Sequence, residues 1–298
     1  MRSWVFLALA SAAFAQQNQL VRDIVSRISE EAEVFRRVAP QTLSEETLQQ
    51  RALKSPSRFK PRIGTAAPQQ EYRVRQIASE YSFGTLKETG EMHEFRKVIS
   101  VDGRTIDSAE KARHSLSLGI QSQDERVKKK MLEEFQKYGL SGAAVDFGQL
   151  ILLFGKRQIG NYRFTLAGDA GLIGADQVLA VAYSQAGGSQ ELLIFQGREV
   201  IRQPLQGFIF VRKSDYLPVR VTMQTARVVK GQMLRDDATV EYSRAPFGVL
   251  LPVSVVHREY AGNTLLVENL FRYAPFRKFS AAAEIRFDAV PEEEPKKK

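Results

Sequence analysis

Alternation of apolar and polar residues between positions 207 and 287 limits the fold more than any other feature of this sequence. Successive side chains of a β-strand point to opposite faces of its sheet, so a period of two predicts strands with one buried face. Lys-Gly at 230–231, Phe-Gly at 247–248 and Gly-Asn at 262–263 interrupt the alternation and predict reversals of the chain. The two patterns together predict an antiparallel meander with one dry and one solvated face. The alternation is clearest at Leu217, Val219, Val221 and Met223.

The length of 298 residues, of which 43% are hydrophobic, allows one large β-rich domain or two smaller ones. The formal net charge of +9 favours anionic partners such as acidic lipid headgroups or nucleic acid, although it also fits a soluble protein with a basic surface.

The chain contains no cysteine. Disulfides, thiolate metal sites, a cysteine nucleophile and a lipidated cysteine anchor are therefore excluded.

Residues 1–15 have the three parts of a secretory signal peptide, namely the cation Arg2, an apolar run and Ala13-Phe14-Ala15 as the cleavage pattern. The run is shorter than the roughly 20 apolar residues that a membrane-spanning helix needs. We therefore expect cleavage near Ala15 and a periplasmic or secreted mature protein. Residues 16–288 are predicted to form one domain, followed by a disordered charged tail at 289–298.

Helical periodicity appears in two parts of the chain. Apolar residues recur at steps of three and four over 18–39, where Asn18 is a possible N-cap and Pro40 ends the pattern. Residues 44–53 resemble a short second helix, and 55–70 an extended connector. A helical insertion is predicted at about 107–154, with helices over 107–114 and 123–138 and an apolar helix, buried on most sides, over 140–154. Lys128, Lys129 and Lys130 are interpreted as a solvated outer face of the second of these helices.

Further strands are predicted on both sides of this insertion. The segments 71–83 and 91–101 are expected to form a hairpin, followed by a tight turn at Asp102-Gly103. The segments 161–166 and 172–185 form a second predicted hairpin, joined by a turn over 167–171, and 191–195 is another strand. Gly168, Gly171 and Gly174 have the spacing of a phosphate-binding loop, but a strand follows them instead of the helix that such a loop requires.

The sequence carries no recognisable catalytic or metal-binding signature, and no cofactor is predicted. His93, His114 and His257 are isolated from one another and lack ligand spacing. Neighbouring acidic pairs at 30–31, 133–134 and 236–237 point in different directions on a helix or strand, whereas a glycosidase needs two carboxylates that converge.

Three features of the chain resemble the periplasmic lipoprotein-sorting family, the LolA/LolB-like half-barrels. They are a first helix after a signal peptide, a helical insertion between two sets of strands, and a C-terminal run that includes DYLPVRV at 215–221 and FRYAPFRKF at 271–279. The resemblance implies an α+β fold in which a large curved antiparallel sheet carries helices in or across its concave face. It also implies a shelter for acyl chains, as in an uncharacterised secreted member of that family.

We therefore expect an exported, non-enzymatic binding protein of the cell envelope that shelters a lipid, an acyl chain or a lipoprotein. An anionic membrane surface is a second expected partner, while the export signal argues against nucleic acid. One alternative is a structural or protein-interaction module with a filled interior, and another is an envelope-polymer hydrolase. The predicted ligand contacts are inward residues of the central strands, namely Phe210, Val219, Val221, Met223, Val240, Tyr242, Val267 and Phe271.

Overall fold

The computed structural model describes residues 3–54, 70–140, 146–186, 192–196, 199–229 and 231–278. These ranges include three α-helices, α1 (Ser3–Val38), α2 (Ala109–Ser122) and α3 (Glu125–Lys137). Short 3-10 helices lie at Ala39–Gln41, Leu150–Phe154 and Ile159–Asn161. The predicted tail and nearly all of the predicted connector lie outside the described residues.

Burial alternates along several strands, such as Pro218–Val229 and Gln232–Arg244, as the period of two predicts. The described residues form fourteen strands in all. They are β1 (Thr42–Leu53), β2 (Tyr72–Thr85), β3 (Met92–Val101), β4 (Arg104–Thr105), β5 (Tyr162–Ile173), β6 (Asp176–Gln185), β7 (Leu192–Gln196), β8 (Glu199–Gln203), β9 (Gln206–Arg212), β10 (Pro218–Val229), β11 (Gln232–Arg244), β12 (Leu250–Ala261), β13 (Thr264–Tyr273) and β14 (Arg277–Lys278).

Twelve of these strands form one antiparallel sheet in the order β4-β3-β2-β1-β13-β12-β11-β10-β9-β6-β5, with β14 paired to β1. The strands β4 and β5 end this order and do not pair with each other in the described part of the chain, so the sheet is open. The strands β7 and β8 form a separate hairpin. The predicted α+β class and the predicted antiparallel sheet are confirmed.

The position of Gly148 shows that the sheet is strongly curved. A Cβ atom built on Gly148 would lie 2.8 Å from Glu94 Oε1, 2.9 Å from the Tyr81 hydroxyl and 3.2 Å from Pro252. These three residues belong to β3, β2 and β12. In a flat sheet β3 and β12 would be separated by four strand spacings, or roughly 19 Å. The sheet therefore wraps around Gly148 and forms the predicted half-barrel with a concave face.

Helix α1 covers part of this concave face. Its residues Ile24, Ile28, Ala32 and Phe35 are fully buried, at the spacing of one helix face. The Phe35 ring meets that of Phe83 edge to face at 5.0 Å. The helix is longer than predicted and continues through residue 18, so Asn18 is not its N-cap. The predicted cleavage point after residue 15 falls inside α1 and stays a prediction.

The predicted short helix at 44–53 is wrong, because these residues belong to strand β1. Burial alternates along this strand, with Leu48 and Gln50 inward and Gln49 and Arg51 outward. Strand β1 pairs with both β2 and β13 and is a central strand of the sheet. The alternation is hidden in the sequence because several of the inward residues are polar.

The first two predicted helices of the insertion exist. Helix α2 lies on the opposite, outer face of the sheet, whereas α3 lies beside β3, where Met131 and Lys128 contact the β3 backbone and Phe135 joins the main core. Ser108 caps α2 by accepting a hydrogen bond from the Lys111 amide at 3.2 Å, and α2 extends beyond residue 114 to Ser122. Its Leu116 packs with Leu43 and Phe95 in a small core separate from the main one. Leu43 of β1 and Phe95 of β3 point to the outer face, because the inward residues of these strands occupy the alternate positions.

The interpretation of Lys128 as a solvated residue is wrong. Lys128 is buried and donates to the Glu94 carbonyl at 2.9 Å and to Asp146 Oδ1 at 2.5 Å. Only its neighbours Lys129 and Lys130 are exposed. The run of three lysines hid the inward residue because the helical period places only every third or fourth residue on one face.

The predicted buried helix over 140–154 is also wrong as a helix, although its burial is confirmed where the structure describes it. Residues 141–145 lie outside the described part, and 146–154 form an irregular stretch that ends in the 3-10 helix Leu150–Phe154. We call residues 146–154 the crossing segment. Its buried members are Phe147, Leu150, Ile151, Leu152 and Phe154.

Several predicted turns are confirmed. The chain reverses around Gly231, Gly248 and Gly262, each with a positive φ that favours glycine, and at Asp102-Gly103. The hairpin of β2 and β3 is also confirmed. The turn between β5 and β6, however, lies at 174–175 and not at 167–171. Residues 167–171 belong to β5, where two register shifts keep the strand paired.

Candidate functional site

The concave interior is the site that the sequence predicts for a ligand. Seven of the eight predicted contact residues are buried, and most of them belong to the main core. Cross-strand pairs place Val221 beside Val240, Val240 beside Val255, and Val255 beside Phe271. The seven are Val219, Val221, Met223, Val240, Tyr242, Val267 and Phe271.

Phe210, the eighth predicted residue, is not inward. Val221 of β10 is inward and pairs with Ile209, so the next pair, Arg220 and Phe210, points to the outer face. The guanidinium carbon of Arg220 lies 5.6 Å from the centre of the Phe210 ring. The sequence predicts the wrong face for Phe210 because apolar residues occupy four consecutive positions, 208–211, and hide the alternation along β9.

The crossing segment fills the middle of the concave interior. The Tyr242 hydroxyl accepts a hydrogen bond from the Ile151 amide at 3.1 Å and donates one to the Gly148 carbonyl at 3.0 Å. The ring of Phe154 packs edge to face against Tyr162 and Tyr183, with centroids 5.5 and 4.9 Å away. Residues that the sequence predicts as ligand contacts are therefore in contact with the protein itself.

A cavity of about 480 Å³ lies where strands β5, β6, β9, β10 and β11 meet. Two adjacent rows of cross-strand neighbours line this cavity. Of the lining residues, the sequence predicts only Met223 as a ligand contact. We call this cavity the cleft. Its wall includes Arg163, Ala182, Tyr183, Gly207, Phe208, Thr222 and Met223.

An irregularity in the pairing of β9 with β10 coincides with the cleft. A Cβ atom on Gly207 would overlap the Thr222 carbonyl, so only glycine fits there. The Tyr183 hydroxyl donates to this carbonyl at 2.8 Å, and the Phe208 amide donates to the Thr222 hydroxyl at 2.9 Å. Side chains thus replace part of the backbone ladder between the pairs Val221–Ile209 and Gln224–Gln206. Burial raises the pKa of Tyr183, which keeps its hydroxyl a neutral donor.

Aromatic residues lie beside the cleft on the outer face. Phe208, which lines it, is 43% exposed, and its ring lies 6.2 Å from that of Phe210. The exposed residue Arg163 adds a cation to the same wall. The sequence could have indicated this surface only through the unbroken apolar run 208–211, which places large side chains on both faces of β9.

A larger depression of about 580 Å³ lies at the turn between α2 and α3. Its wall is charged with both signs, and Arg126 is paired with Asp124 at 2.6 Å. Such an alternating surface favours neither a cation nor an anion, so we do not assign a site to it.

Two of the three histidines are paired with aspartates that are distant in the sequence. His93 Nδ1 lies 2.7 Å from Asp146 Oδ2, and His257 Nε2 lies 3.3 Å from Asp236 Oδ1. The ring of Phe147 stacks on His257 at 4.5 Å. His257 and its partner are buried under the crossing segment and do not line the cleft. Among the described residues, no group of three or more His, Asp or Glu side chains is arranged to hold a metal ion.

A buried charged cluster lies on the concave face at β1, β2 and β3. Arg96 Nε lies 2.7 Å from Glu46 Oε1, and Arg96 Nη2 is paired with Glu94. Burial raises the pKa of Glu94 to about 7 despite the neighbouring Arg96 cation. No sequence signal indicates this cluster, because Glu46 and Arg96 are fifty residues apart and each alternates with ordinary strand residues.

Comparison with known proteins gives two solved structures that are similar over most of the chain. One is a DUF1329 family protein from Desulfovibrio piger, with 11% identity and a TM-score of 0.37, covering 89% of this chain and 96% of that one. The other is a LolA superfamily protein from Nitrosomonas europaea, with 12% identity and a TM-score of 0.32, covering 86% and 94%. The second belongs to the family that the sequence resembles. No family model matches the chain, and neither does any curated protein.

Among the described residues, no helix is both long enough and apolar enough to cross a membrane.

Proposed function

We propose that this protein is an exported, non-enzymatic binding protein that holds the apolar chain of a lipid or lipoprotein in the cleft between β9 and β10. The observation that carries the proposal is the cleft itself. Its volume of about 480 Å³ falls in the range of small-molecule sites. Because the crossing segment fills the middle of the concave face, we place the proposed site in the cleft and not in the interior.

The chemistry of the wall favours a ligand with an apolar chain and an anionic head. Phe208 offers an aromatic surface, and Arg163 provides a cation at the same wall. The carboxylate of the wall, Asp237, is paired with Arg235 at 3.1 Å. The chain as a whole carries a net charge of +9, which favours approach to anionic lipid surfaces. The signal-peptide pattern at 1–15 supports export to the compartment where such a ligand would be met.

The test is a titration with cis-parinaric acid, a fatty acid whose fluorescence rises in an apolar site. Phe208→Asp is the test variant, and Val253→Asp is its matched control, because the two apolar side chains are 43% and 42% exposed and Val253 does not line the cleft. We expect saturable binding by the wild type and by Val253→Asp, and at least tenfold weaker binding by Phe208→Asp. Equal binding by all three proteins would contradict the cleft assignment.

The filled interior favours a second candidate function, a structural or protein-interaction module on the same fold. The contacts of Tyr242 and Phe154 with neighbouring elements give the concave face a complete core without a ligand. Native mass spectrometry of protein purified without detergent separates the candidates. A stoichiometric lipid supports the first function. An empty protein that also fails to bind cis-parinaric acid supports the second.

A further inference from the structure

Hydrogen bonds tie the beginning of the crossing segment to one strand, β3. Asp146 Oδ1 accepts a hydrogen bond from the Glu94 amide at 3.1 Å, and Gln149 Nε2 donates to the Met92 carbonyl at 2.7 Å. Lys128 Nζ bridges the Glu94 carbonyl and Asp146. These bonds join the beginning of the segment to the backbone on either side of Glu94.

The side chain of Glu94 lies directly against the same segment. Its Oε2 is paired with Arg96, but its Oε1 is buried and has no hydrogen-bond partner. This unpartnered oxygen faces Gly148, whose built Cβ would lie 2.8 Å from it. The Tyr81 hydroxyl, equally close to Gly148, is also buried and has no hydrogen-bond partner on the crossing segment.

A neutral carboxyl group tolerates this position, whereas a carboxylate does not. A buried carboxylate needs hydrogen-bond donors or water at both oxygens, and Gly148 offers no donor side chain. Ionised Glu94 would also repel Asp146, whose own charge is secure because Lys128 and His93 lower its pKa to about 2 although burial alone would raise it. Gly148 lies against Oε1, so its displacement would make room there for a water molecule that hydrates the carboxylate.

Every element packed around Glu94 presents a charged or titratable group to it. Glu46 and Asp146 oppose its ionisation, whereas Arg96 and Lys128 favour it, and burial outweighs these cations. The groups are Glu46 of β1, Tyr81 of β2, Arg96 of β3, Tyr242 of β11, Tyr273 of β13, Lys128 of α3 and Asp146 of the crossing segment.

We propose that the crossing segment is a lid on the concave face, latched by the neutral carboxyl of Glu94, and that ionisation of Glu94 releases it. Release would break the contacts of Tyr242 with Gly148 and Ile151 and would uncover inward residues such as Val240. The lid would thus make the apolar interior accessible at alkaline pH. This inference does not rest on ligand binding at the cleft, which lies on other strands.

Hydrogen–deuterium exchange of the full chain tests the lid, with rates corrected for the intrinsic pH dependence of exchange. We expect the protection of amides 148–151 in the wild type to fall at least tenfold between pH 6 and pH 8. Glu94→Gln should remain protected at both pH values. Glu80→Gln is the matched control and should behave as the wild type, because Glu80 is equally buried but alternates with the inward residues of β2. Wild-type protection that does not change with pH would overturn the proposal.

A second pair of variants keeps the proposal testable if Glu94→Gln does not fold. Gly148→Ala adds a methyl group against Glu94 Oε1 and should expose amides 149–151 already at pH 6. Gly160→Ala, where a Cβ meets no atom within 4 Å, should leave the lid closed. Infrared spectra of the wild type should show a protonated carboxyl band that weakens between pH 6 and pH 8 as Glu94 ionises; burial also raises the pKa of Glu80 and Glu259, so part of the band can remain. A spectrum without this band would overturn the proposal, and so would a closed lid in Gly148→Ala.

Discussion

The two halves of the concave face are equally buried but are built from different chemistry. Over β9 to β11, residues such as Val221 and Val240 belong to the same apolar core as Ile151 and Phe154 of the crossing segment. Over β1 to β3, Glu46, Glu94 and Arg96 form a charged cluster that is almost completely inaccessible to solvent. Apolar burial, which depends on area and volume, stabilises most of the first half, although that half also holds the buried pair of Asp236 with Arg227. The second half is stable only while its charges balance.

Removing the cation of the charged half should have the largest effect. Arg96→Met leaves Glu46 and Glu94 buried without their partner, and breaking a buried pair costs about 3–5 kcal/mol of the free energy of unfolding. Urea denaturation measures the loss. Arg258→Met is the control, since Arg258 pairs with Glu268 at an exposed position and should cost less than about 1 kcal/mol. Equal losses would mean that the buried cluster is not a distinct energetic unit.

A cavity created in the apolar half should lower the free energy of unfolding by a comparable amount, but through lost packing and not through an unpaired charge. Ile151→Ala removes fully buried methyl and methylene groups, which costs about 2–5 kcal/mol. The loss should be smaller at pH 8 than at pH 5, because the released crossing segment no longer buries Ile151. An equal loss at both pH values would show that Ile151 stays buried when Glu94 is ionised.

The pH dependence of stability should come mainly from the charged half. The pKa of Glu94 is raised to about 7 in the folded protein, mainly by burial, from its ordinary value of 4.5. Between these values the folded state binds more protons than the unfolded state, so the free energy of unfolding should fall as pH rises from 4.5 to 7, by an amount on the order of 1–3 kcal/mol. Thermal unfolding across this range measures the fall. Persistence of the same fall in Glu94→Gln would assign it to another group.

The smallest effect should come from a change outside both halves. Ser108→Ala removes the N-cap of α2 on the outer face and should cost about 1 kcal/mol. Amide exchange of the crossing segment should not change, because α2 packs in a separate core. Faster exchange in that segment would show that α2 also controls the lid.

The apolar half of the fold could be predicted from the sequence, and the charged half could not. Leu217, Val219, Val221 and Met223 show the period of two directly, and the turn signals set the order of the C-terminal strands. Strand β1 was mistaken for a helix because Ser44, Glu46 and Gln50 are inward and polar. Their burial depends on partners such as Arg96, which only the folded sheet brings close.

The candidate site was predicted in part for the same reason. Inward residues were identified correctly except Phe210. The apolar run 140–154 predicts a buried segment and a filled interior as one alternative, but it does not show which inward side chains residues 146–154 cover. The residues next to Gly207 in the sequence do not indicate why this position excludes a side chain. The overlap with Thr222 exists only when β9 and β10 are paired. The local sequence pattern therefore predicts the sheet, whereas contacts between residues that are distant in the sequence determine where the cleft lies.

The most direct measurement is photo-crosslinking with a diazirine-bearing fatty acid at pH 5.5, followed by peptide mapping. If the concave face is closed and the cleft is the binding site, the label should attach to residues of β9 and β10 around Gly207 and Thr222. The label should be lost with Phe208→Asp and retained with Val253→Asp. Labelling confined to Val240 and Phe271 on the concave face would contradict the account, because it would show that the interior admits a ligand while the lid is expected to be closed.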